Sequence, residues 1–387
     1  MKYNFDELID RTGTGSVKWS KPDVLPMWVA DMDFKTAPEV TEALINRASH
    51  GVFGYSETPP SYYAAVRNWW KKRHALPIEN DWIVATPGVM PALAAAVEAL
   101  TSEGDKIIVQ PPVYNHFFIT VAQSHCQLVE NPLLYENGLY EIDFHDLEQK
   151  AADPGVKLLL LSNPHNPAGR VWTKEELQRL GEICIHNNVT VLSDEIHSDL
   201  VYGDNRHVPF ASLGGTYAIR SITFSSPSKT FNLAGLQGAY FFTENEPYRL
   251  AIKKILTKWE MTMLNLFAID SLIAAYEKGE PWLEELKKYL YDNYLYLAEF
   301  CREHLPQLKV VPLQSTYLVW IDCAALGAPS SAITDSLMEN ERLWLQPGIK
   351  YGQAGDQFLR INIACPRELL EEGLKRLTKE YQRILKT

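Results

Sequence analysis

The chain has 387 residues, 46% of them hydrophobic, so it is long enough for two or three ordinary domains and too apolar to be a disordered protein. Its net charge of −11 argues against a nucleic-acid surface, because phosphate binding needs clustered lysine and arginine. The five cysteines are scattered and the ten histidines form no metal-binding pair, so we expect reduced thiols in a cytoplasmic protein and no metal site.

The N-terminal part of the chain favours a protein that is neither exported nor held in a membrane. Asp6 and Glu7 stand where a signal peptide needs an apolar core, and no apolar run approaches the ~20 residues of a membrane helix. Residues 1–45 also lack an alternation of strand and helix signals.

Short basic clusters at 71–73 and 253–254 are interpreted as solvated helix faces.

The middle of the chain alternates strand and helix signals. The strand signals are found at 82–85, 107–110, 156–162, 189–192, 219–224 and 238–242. A helix is predicted over 92–100, with Pro91 in its first turn, and a capping box at 173–176 begins another helix that runs to Cys184. Such alternation predicts a largely parallel sheet covered by helices on both faces.

After about residue 280 the pattern changes to long helices and a small sheet. Helices are predicted over 282–304 and 367–385, and strands over 317–321 and 358–363. No internal repeat or low-complexity linker is visible, which favours one continuous architecture.

A lysine directly follows one of the strand signals, in the motif Ser226-Pro-Ser-Lys-Thr-Phe-Asn. The amine of Lys229 can react with a carbonyl cofactor, and the hydroxyls of Ser226 and Ser228 can hold the phosphate of that cofactor. The pattern predicts a pyridoxal phosphate enzyme. Because Ser-x-x-Lys also occurs in serine acyl-transfer enzymes and by chance, the prediction depends on further groups at matching positions.

Two such groups stand at the ends of other predicted strands. Asp194 can pair with the protonated pyridine nitrogen of the cofactor and keep it an electron sink. Asn166 can donate its side-chain amide to the ring oxygen of the cofactor. Parallel strands present their functional groups at one edge of the sheet, so we expect Asn166, Asp194 and Lys229 to lie together.

Two further features fit the same cofactor. Gly88, Val89 and Met90 precede a predicted helix whose free N–H groups and positive dipole end favour a phosphate, although the motif alone is equally consistent with a turn that binds nothing. Tyr114 follows a strand signal, where its ring can stack on the pyridine, although an aromatic residue there is more often part of the core.

Arg360 stands within an apolar strand signal and needs an anionic partner. The carboxylate of an amino-acid substrate matches the two-pronged guanidinium, and a structural ion pair is the alternative.

Together these motifs resemble a known family. The Asn166-Pro-Ala-Gly loop, the strand-terminal Asp194 and the Ser-x-x-Lys229 motif are similar to fold-type I pyridoxal phosphate enzymes of the class I/II aminotransferase group. Residues 25–34, 194–197 and 226–232 resemble the MalY/PatB-type cystathionine β-lyases, and the resemblance extends from about Leu25 to Cys365.

The resemblance implies the fold and the assembly. It implies an α/β protein with a large cofactor-binding domain at 46–280, built on a mixed, mostly parallel seven-stranded sheet between helices. Residues 1–45 and 281–387 would form a smaller α+β domain. It also implies a homodimer with shared active sites, in which Tyr55 reaches the cofactor phosphate and substrate of the partner.

Roles for the other residues follow from the same resemblance. Arg360 would be the clamp for the substrate carboxylate, with Trp28 beside the substrate, and Tyr114 would act together with Lys229 and Asp194 in catalysis. Two positions differ from aspartate-aminotransferase-like enzymes. Gln237 replaces a phosphate-binding arginine, and His197 replaces a tyrosine near the ring oxygen of the cofactor. Both differences are shared with the lyase subgroup, and they count against simple transamination without excluding it.

The function implied is pyridoxal phosphate-dependent β-elimination of sulfur amino acids, which converts L-cystathionine, L-cysteine or cysteine S-conjugates to a thiol, pyruvate and ammonia. An aminotransferase is the first alternative and would require a 2-oxoacid acceptor. A regulatory role through protein contacts, beside catalysis, is the second, and the sequence contains no partner motif for it.

Overall fold

The computed structural model describes residues 2–386. Its strands are β1 Leu25–Pro26, β2 Ile83–Thr86, β3 Lys106–Val109, β4 Gln127–Glu130, β5 Leu134–Glu136, β6 Leu139–Glu141, β7 Val156–Ser162, β8 Thr190–Asp194, β9 Ser221–Ser225, β10 Ala239–Phe242, β11 Lys309–Val310, β12 Leu318–Asp322, β13 Leu343–Trp344, β14 Gln346–Pro347 and β15 Phe358–Asn362. Its α-helices are α1 Pro38–His50, α2 Pro60–His74, α3 Val89–Leu100, α4 His116–Gln123, α5 Phe144–Ala151, α6 Lys174–His186, α7 Gly215–Ile219, α8 Pro227–Thr230, α9 Glu246–Lys258, α10 Leu266–Lys278, α11 Glu280–His304, α12 Ser330–Glu341 and α13 Arg367–Ile384.

The largest sheet has seven strands in the order β2-β10-β9-β8-β7-β3-β4. The run from β9 to β4 is parallel, and β10 is antiparallel to both of its neighbours. Strands β8 and β9 are buried along their whole length, as expected for strands that have helices on both faces. The mixed, mostly parallel seven-stranded sheet predicted above is therefore confirmed.

The strand order brings the predicted site residues to one edge of this sheet. Strands β7, β8 and β9 are adjacent, and Ser162 lies beside Asp194, which in turn lies beside Phe224. Asn166 lies in the loop after β7, Asp194 is the last residue of β8, and Lys229 lies in the helical turn after β9. The carboxyl ends of parallel strands form the usual crevice for ligands in α/β folds.

Helices cover the sheet as the local sequence signals indicated. The predicted helix over 92–100 is α3, which begins three residues earlier, and its fully buried alanines let it pack closely against α9 and the sheet. The capping box that begins α6 is present, because the Thr173 hydroxyl accepts from the Glu176 amide at 3.1 Å and the Glu176 carboxylate accepts from the Thr173 amide at 2.7 Å.

A second, four-stranded sheet has the order β11-β12-β15-β14 and is antiparallel. The N-terminal segment joins this part of the chain through β1, which pairs in parallel with β13 between Leu25 and Leu343. The division into two domains stays a prediction. A boundary at residue 45 would fall inside α1, a continuous helix that packs against α10.

One prediction about the surface is wrong in part. Lys71 and Lys72 are exposed on α2, as expected of a solvated helix face. Arg73 is turned inward instead, where it pairs with Glu280 at 3.2 Å and lies 3.9 Å from the buried Asp199. The three residues follow each other in sequence, but a helix turns each by about 100°, so neighbours in a basic run face different surroundings. Within residues 2–386, no helix is long and apolar enough to cross a membrane.

Candidate active site

A cavity of about 490 Å³ lies where the carboxyl ends of β7, β8 and β9 meet residues 28–30 and 346–351. Its volume is in the range of sites that enclose a small ligand. Nine of the residues predicted from the sequence line it: Trp28, Val89, Met90, Tyr114, Asn166, Asp194, His197, Lys229 and Arg360.

Lys229 lies in α8, a single helical turn that directly follows β9. Its ammonium group donates to the backbone oxygen of Ala30 at 2.6 Å. Burial lowers the pKa of Lys229 to about 8, so an appreciable fraction of the amine is neutral near neutral pH. A neutral amine is the form that attacks a carbonyl or accepts a proton.

Asp194 is the last residue of β8 and is 8% exposed. Its carboxylate accepts from the Ile196 amide at 3.2 Å, and none of the salt bridges within residues 2–386 involves it. Burial raises the pKa of Asp194 to about 7. A buried carboxylate without a cation is well suited to bind a protonated ring nitrogen, because that partner removes the cost of burying its charge.

Arg360 lies in the middle of β15 and is 4% exposed. One of its terminal nitrogens donates to the Asn166 side-chain oxygen at 3.1 Å and the other to the Trp28 backbone oxygen at 2.8 Å. Its Nε is buried without a hydrogen-bond partner. No carboxylate in the described part of the chain pairs with Arg360. The structural ion pair, which was the alternative from the sequence, therefore has no support here. The guanidinium can still bind an anion through its remaining N–H groups.

Two predicted rings, those of Tyr114 and His197, line the cavity. Tyr114 stacks on His116, with ring centres 5.1 Å apart and planes 27° apart, and burial raises the pKa of Tyr114 to about 12. His197 is buried with its Nδ1 unpartnered, and burial, followed by the nearby charge of Lys229, lowers its pKa to about 3. His197 is therefore neutral, and its ring provides a hydrogen-bonding atom to the cavity.

Four predicted site residues do not line the cavity. The Ser226 hydroxyl donates to the Gly238 backbone oxygen at 2.6 Å and accepts from the Ser228 amide at 3.0 Å. It therefore caps α8, a role that the single helical turn after β9 requires. Gly88 lies just outside the cavity as the N-cap of α3. Tyr55 is 98% exposed.

Gln237, where related transaminases have an arginine, also lies away from the cavity. It has a left-handed backbone, with φ of 54°, at the end of a short turn after Leu236. Gln237 is not among the residues that line the cavity, and its part in holding the phosphate stays a prediction.

Several residues of the cavity wall were not predicted from the sequence. These are Val29, Ala30, Asn115, His116, Ser162, Ile196, Gln346, Lys350 and Tyr351. Tyr351 lies 5.0 Å from the Arg360 guanidinium, which stacks over its ring. Ala30 contributes only a backbone oxygen, for which no side-chain motif exists.

The residues of this cavity fit pyridoxal 5′-phosphate. Lys229 provides an amine, Asp194 a buried carboxylate without a cation, and Tyr114 an aromatic face. Helix α3 presents its N-terminus at Val89 and Met90 with no side chain capping it, which leaves its first N–H groups for a phosphate.

Comparisons with known proteins agree with this cavity. The family model for aminotransferase class I and II matches residues 22–377. Cystathionine beta-lyase PatB of Bacillus subtilis (strain 168) is 42% identical over 97% of this chain and 98% of its own, and protein MalY of Escherichia coli (strain K12) is 34% identical over 99% and 100%. The solved structure of the PLP-bound C-S lyase from Staphylococcus hominis superposes with a TM-score of 0.92 at 33% identity, over 98% of this chain and 99% of that one. The chain therefore belongs to the class I and II aminotransferase family and, within it, to the MalY/PatB-type group that its motifs resemble.

Proposed function

We propose that this protein is a pyridoxal phosphate-dependent carbon–sulfur β-lyase, which converts sulfur amino acids such as L-cystathionine to a thiol, pyruvate and ammonia. The observation that carries the proposal is one cavity that holds the amine of Lys229, the carboxylate of Asp194 and the guanidinium of Arg360, the last two without an ion-pair partner within residues 2–386. The names of PatB and of the Staphylococcus hominis structure support the choice of lyase within the family.

The cofactor would be held by residues around the cavity. Lys229 binds its aldehyde carbon, Asp194 its ring nitrogen, and Asn166 and His197 the side of its ring oxygen. Tyr114 covers a face of the ring. The phosphate is held at the start of α3 by 88–90, with Ser228 and Tyr55 of a partner subunit as further donors. Ser226 contributes indirectly, as the cap of α8. When bound, pyridoxal phosphate supplies an electron sink for the bond that breaks at the substrate Cα.

Lys229 is the group that moves the proton. Once its amine is released by the incoming amino acid, it can accept the Cα proton, since a pKa of about 8 leaves a usable fraction of free base near neutral pH. Asp194 keeps the ring nitrogen protonated by its negative charge. Both roles need a dry site, because water would weaken the attraction between charges.

Arg360 orients the substrate. Each of its terminal nitrogens keeps a second N–H that can hold the α-carboxylate, while Asn166 fixes the plane of the guanidinium through the 3.1 Å hydrogen bond. With the carboxylate and the amino group both held, the remaining substituents of Cα have fixed directions, and the proton that leaves is the one that faces Lys229. A thiolate at Cβ is then a good leaving group, whereas alanine has none.

The test is a product assay without an acceptor. The purified protein with cofactor, given L-cystathionine and no 2-oxoacid, should release pyruvate, ammonia and homocysteine in equal amounts, while L-alanine should give no steady turnover. If pyruvate forms from cystathionine only when a 2-oxoacid is added, the lyase assignment is wrong and the protein is an aminotransferase. If neither reaction occurs although the cofactor is bound, the regulatory alternative remains.

We also infer a homodimer that works in the cytoplasm. Val52, Phe53 and Tyr55 are 65%, 57% and 98% exposed on the segment between α1 and α2, and such a concentration of exposed apolar side chains favours an interface. All five cysteines are free thiols, which is the usual state in a reducing compartment.

A further inference from the structure

The segment 28–33 forms part of the cavity wall and is neither a helix nor a strand. Val29 and Ala30 line the cavity, and the backbone oxygen of Ala30 accepts from the Lys229 ammonium group at 2.6 Å. The Asp31 amide donates to the Val29 oxygen at 3.0 Å, which closes a three-residue turn with Ala30 at its apex. The position of the Ala30 carbonyl group therefore depends on what holds this turn.

Asn362 binds the turn on both sides of its apex. It is the last residue of β15, is 1% exposed and is not among the residues that line the cavity. Its side-chain amide donates to the Val29 oxygen and to the Asp31 oxygen, both at 2.6 Å. Its side-chain oxygen accepts from the Ala364 amide at 2.7 Å, which fixes the side chain itself. One side chain thus binds both flanking backbone oxygens, and the Ala30 oxygen between them remains for other donors.

Two donors share the Ala30 oxygen. One is Lys229, and the other is the Tyr317 hydroxyl at 3.1 Å. A backbone oxygen only accepts, so it stabilises a charged ammonium group more than a neutral amine. In the proposed mechanism Lys229 becomes that ammonium group when it takes the Cα proton, while the electron pair of the C–H bond stays with the substrate and cofactor. The Ala30 oxygen is therefore an acceptor for the charge that this step creates.

The rest of the segment has anchors of its own. The Asn232 side chain exchanges two hydrogen bonds with the backbone of Met32, both at 3.0 Å. The Lys18 ammonium group pairs with the buried Asp33 at 2.7 Å. Loss of the Asn362 side chain should therefore loosen the turn without releasing the whole segment.

We propose that Asn362 is a positioning residue for the proton transfer, because it holds the Ala30 carbonyl group where that group receives the ammonium group of Lys229. The proposal rests on the proposed function for the step in which Lys229 takes the Cα proton. Without the Asn362 amide, the Val29 and Asp31 oxygens each lose a donor, and the direction of the Ala30 carbonyl group is no longer fixed.

The first test measures the pKa of Lys229 directly. Full-length protein freed of cofactor is treated with acetic anhydride at several pH values, and mass spectrometry gives the rate of acetylation of Lys229. Only the neutral amine reacts, so the midpoint of the rate against pH is the pKa, which is about 8 in the wild type. In Asn362→Ala the pKa should fall by about one unit, because the ammonium form loses a charge-assisted hydrogen bond. An unchanged midpoint in folded Asn362→Ala would overturn the proposal.

The charge of Asp31 must be separated from this effect. Asp31 raises the pKa of Lys229, and its side chain, 23% exposed, belongs to the same turn. Salt at about 1 M screens a partly exposed charge but does not remove a hydrogen bond, so the difference between wild type and Asn362→Ala should persist. Its disappearance at high salt would overturn the proposal. The other titratable or charged groups around the amine are the same in both proteins: Tyr114, His116, Asp194, His197, Tyr317, Lys350, Tyr351 and Arg360.

Asn293 in α11 provides a matched control. It is fully buried, its amide donates to the Ile363 and Cys365 backbone oxygens, both at 3.0 Å, and its side-chain oxygen accepts a third hydrogen bond at 2.8 Å. Asn293→Ala therefore removes as many hydrogen bonds as Asn362→Ala, but none at the cavity wall. It should lower the melting temperature to a similar extent and leave the pKa of Lys229 unchanged. Equal falls in this pKa would show a general loss of packing and contradict the proposal.

Two milder variants keep the test decisive if Asn362→Ala does not fold. Asn362→Ser keeps a single donor, so the pKa of Lys229 should fall by about half as much. Tyr317→Phe removes only the second donor to the Ala30 oxygen, so this pKa should not fall. A wild-type pKa in Asn362→Ser, or a fall in Tyr317→Phe as large as that in Asn362→Ser, would overturn the role of Asn362.

A second measurement keeps the inference separate from the lyase assignment. With cofactor bound, exchange of the Cα hydrogen of L-alanine for deuterium, followed by NMR, reports proton transfer without a leaving group. Asn362→Ala should lower the plateau rate about tenfold and move the midpoint of the pH profile down by about one unit, whereas Asn293→Ala should do neither. If no sulfur amino acid yields pyruvate but these effects are found, the lyase proposal fails and the positioning role stands. If pyruvate is released without an acceptor but Asn362→Ala exchanges alanine like the wild type, the positioning role is overturned and the lyase proposal stands.

Discussion

Asp194, which is buried, and Lys229, which is half-buried, lie in a cavity that disfavours their charged forms. Burial raises the pKa of Asp194 to about 7 and lowers the pKa of Lys229 to about 8. One raised pKa and one lowered pKa within the same cavity are typical of functional sites. Two buried ionisable groups cost free energy, and a core without a function does not need them. The bound cofactor relieves the cost, since it provides a cation for Asp194 and a covalent partner for Lys229.

The first prediction follows from the pKa of Asp194 in the cofactor-free protein. The folded state holds this proton up to about pH 7 and the unfolded chain releases it near the ordinary value of 3.8. Its contribution to stability is therefore complete below about pH 3.8 and is lost as the pH rises through 7. Asp194→Asn has no charge to bury, so its free energy of unfolding should rise relative to wild type between pH 4.5 and 7.5. The whole rise should be about 1.4 kcal/mol for each unit by which the folded pKa of Asp194 exceeds the unfolded pKa.

Urea unfolding of the two cofactor-free proteins at several pH values measures this difference. With cofactor bound the order should reverse, because only the wild type then gains the ion pair. Parallel pH profiles for wild type and Asp194→Asn would show that the carboxylate is not perturbed.

The second prediction concerns the guanidinium of Arg360. Arg360→Ala removes the group proposed to bind the substrate carboxylate, so kcat/KM should fall about 100-fold, as expected when one member of a buried charged pair is removed. Arg249→Ala is the control. Arg249 is also buried, but it donates to the backbone oxygens of Thr243 and Glu244 away from the cavity, so its loss should lower the melting temperature and leave KM unchanged. A similar rise in KM in both variants would argue against a carboxylate clamp.

Among the elements, a buried network connects α2 to the turn that carries Lys229. Asp199 accepts from the Thr230 hydroxyl at 3.0 Å, from the Trp69 indole at 3.1 Å and contacts His74 Nε2 at 3.1 Å. Burial acts to raise its pKa, yet the hydrogen bonds and the charges of His74 and Arg73 hold the pKa of Asp199 below its usual value. Because Thr230 directly follows Lys229, this network restrains the backbone of the reactive lysine.

The third prediction concerns the turn Gly348–Tyr351. Gly348→Ala would force the backbone away from Gly355 and Phe358, and overpacking of this kind costs roughly 1–3 kcal/mol of stability. Tyr351 should then move from its place under Arg360, and KM for the amino acid should rise. Gly235→Ala is the control, since a Cβ there meets nothing within 4 Å. Thermal unfolding and steady-state kinetics measure both effects, and equal behaviour of the two variants would contradict the close approach.

At the scale of the whole molecule, Tyr55 is exposed and has no role within a single subunit. The fourth prediction is that Tyr55 completes the site of a partner subunit. Tyr55→Ala and Lys229→Ala should each be nearly inactive, but a mixture that exchanges subunits should regain about a quarter of the wild-type activity, because half of the dimers are hybrids with one intact site in two.

The control mixes Tyr55→Ala with the double variant Tyr55→Ala/Lys229→Ala, in which no hybrid contains an intact site. Size measurement in solution should give a dimer. A fully active monomer, or equal recovery in both mixtures, would contradict shared sites.

The sequence by itself determined the elements and the type of chemistry. The predicted strand over 156–162 coincides with β7, and the capping box at Thr173 begins α6, because apolar runs and caps depend on residues close together in the chain. The positions of Asp194 and Lys229 at strand ends were equally visible, since strand periodicity is local and the carboxyl edge of a parallel sheet is the usual place for such groups.

Only the tertiary structure decided which polar groups share the cavity and which are taken by local structure. A serine three residues before a reactive lysine predicts a phosphate ligand, but the Ser226 hydroxyl caps α8 instead. Conversely, Gln346 and Lys350 carry no motif. Gln346 reaches the cavity because β14 pairs with β15 and places it beside Arg360, and Lys350 follows in the turn Gly348–Tyr351. Contacts between segments so distant along the chain depend on strand order and on how the chain crosses between sheets, which no local pattern of residues specifies.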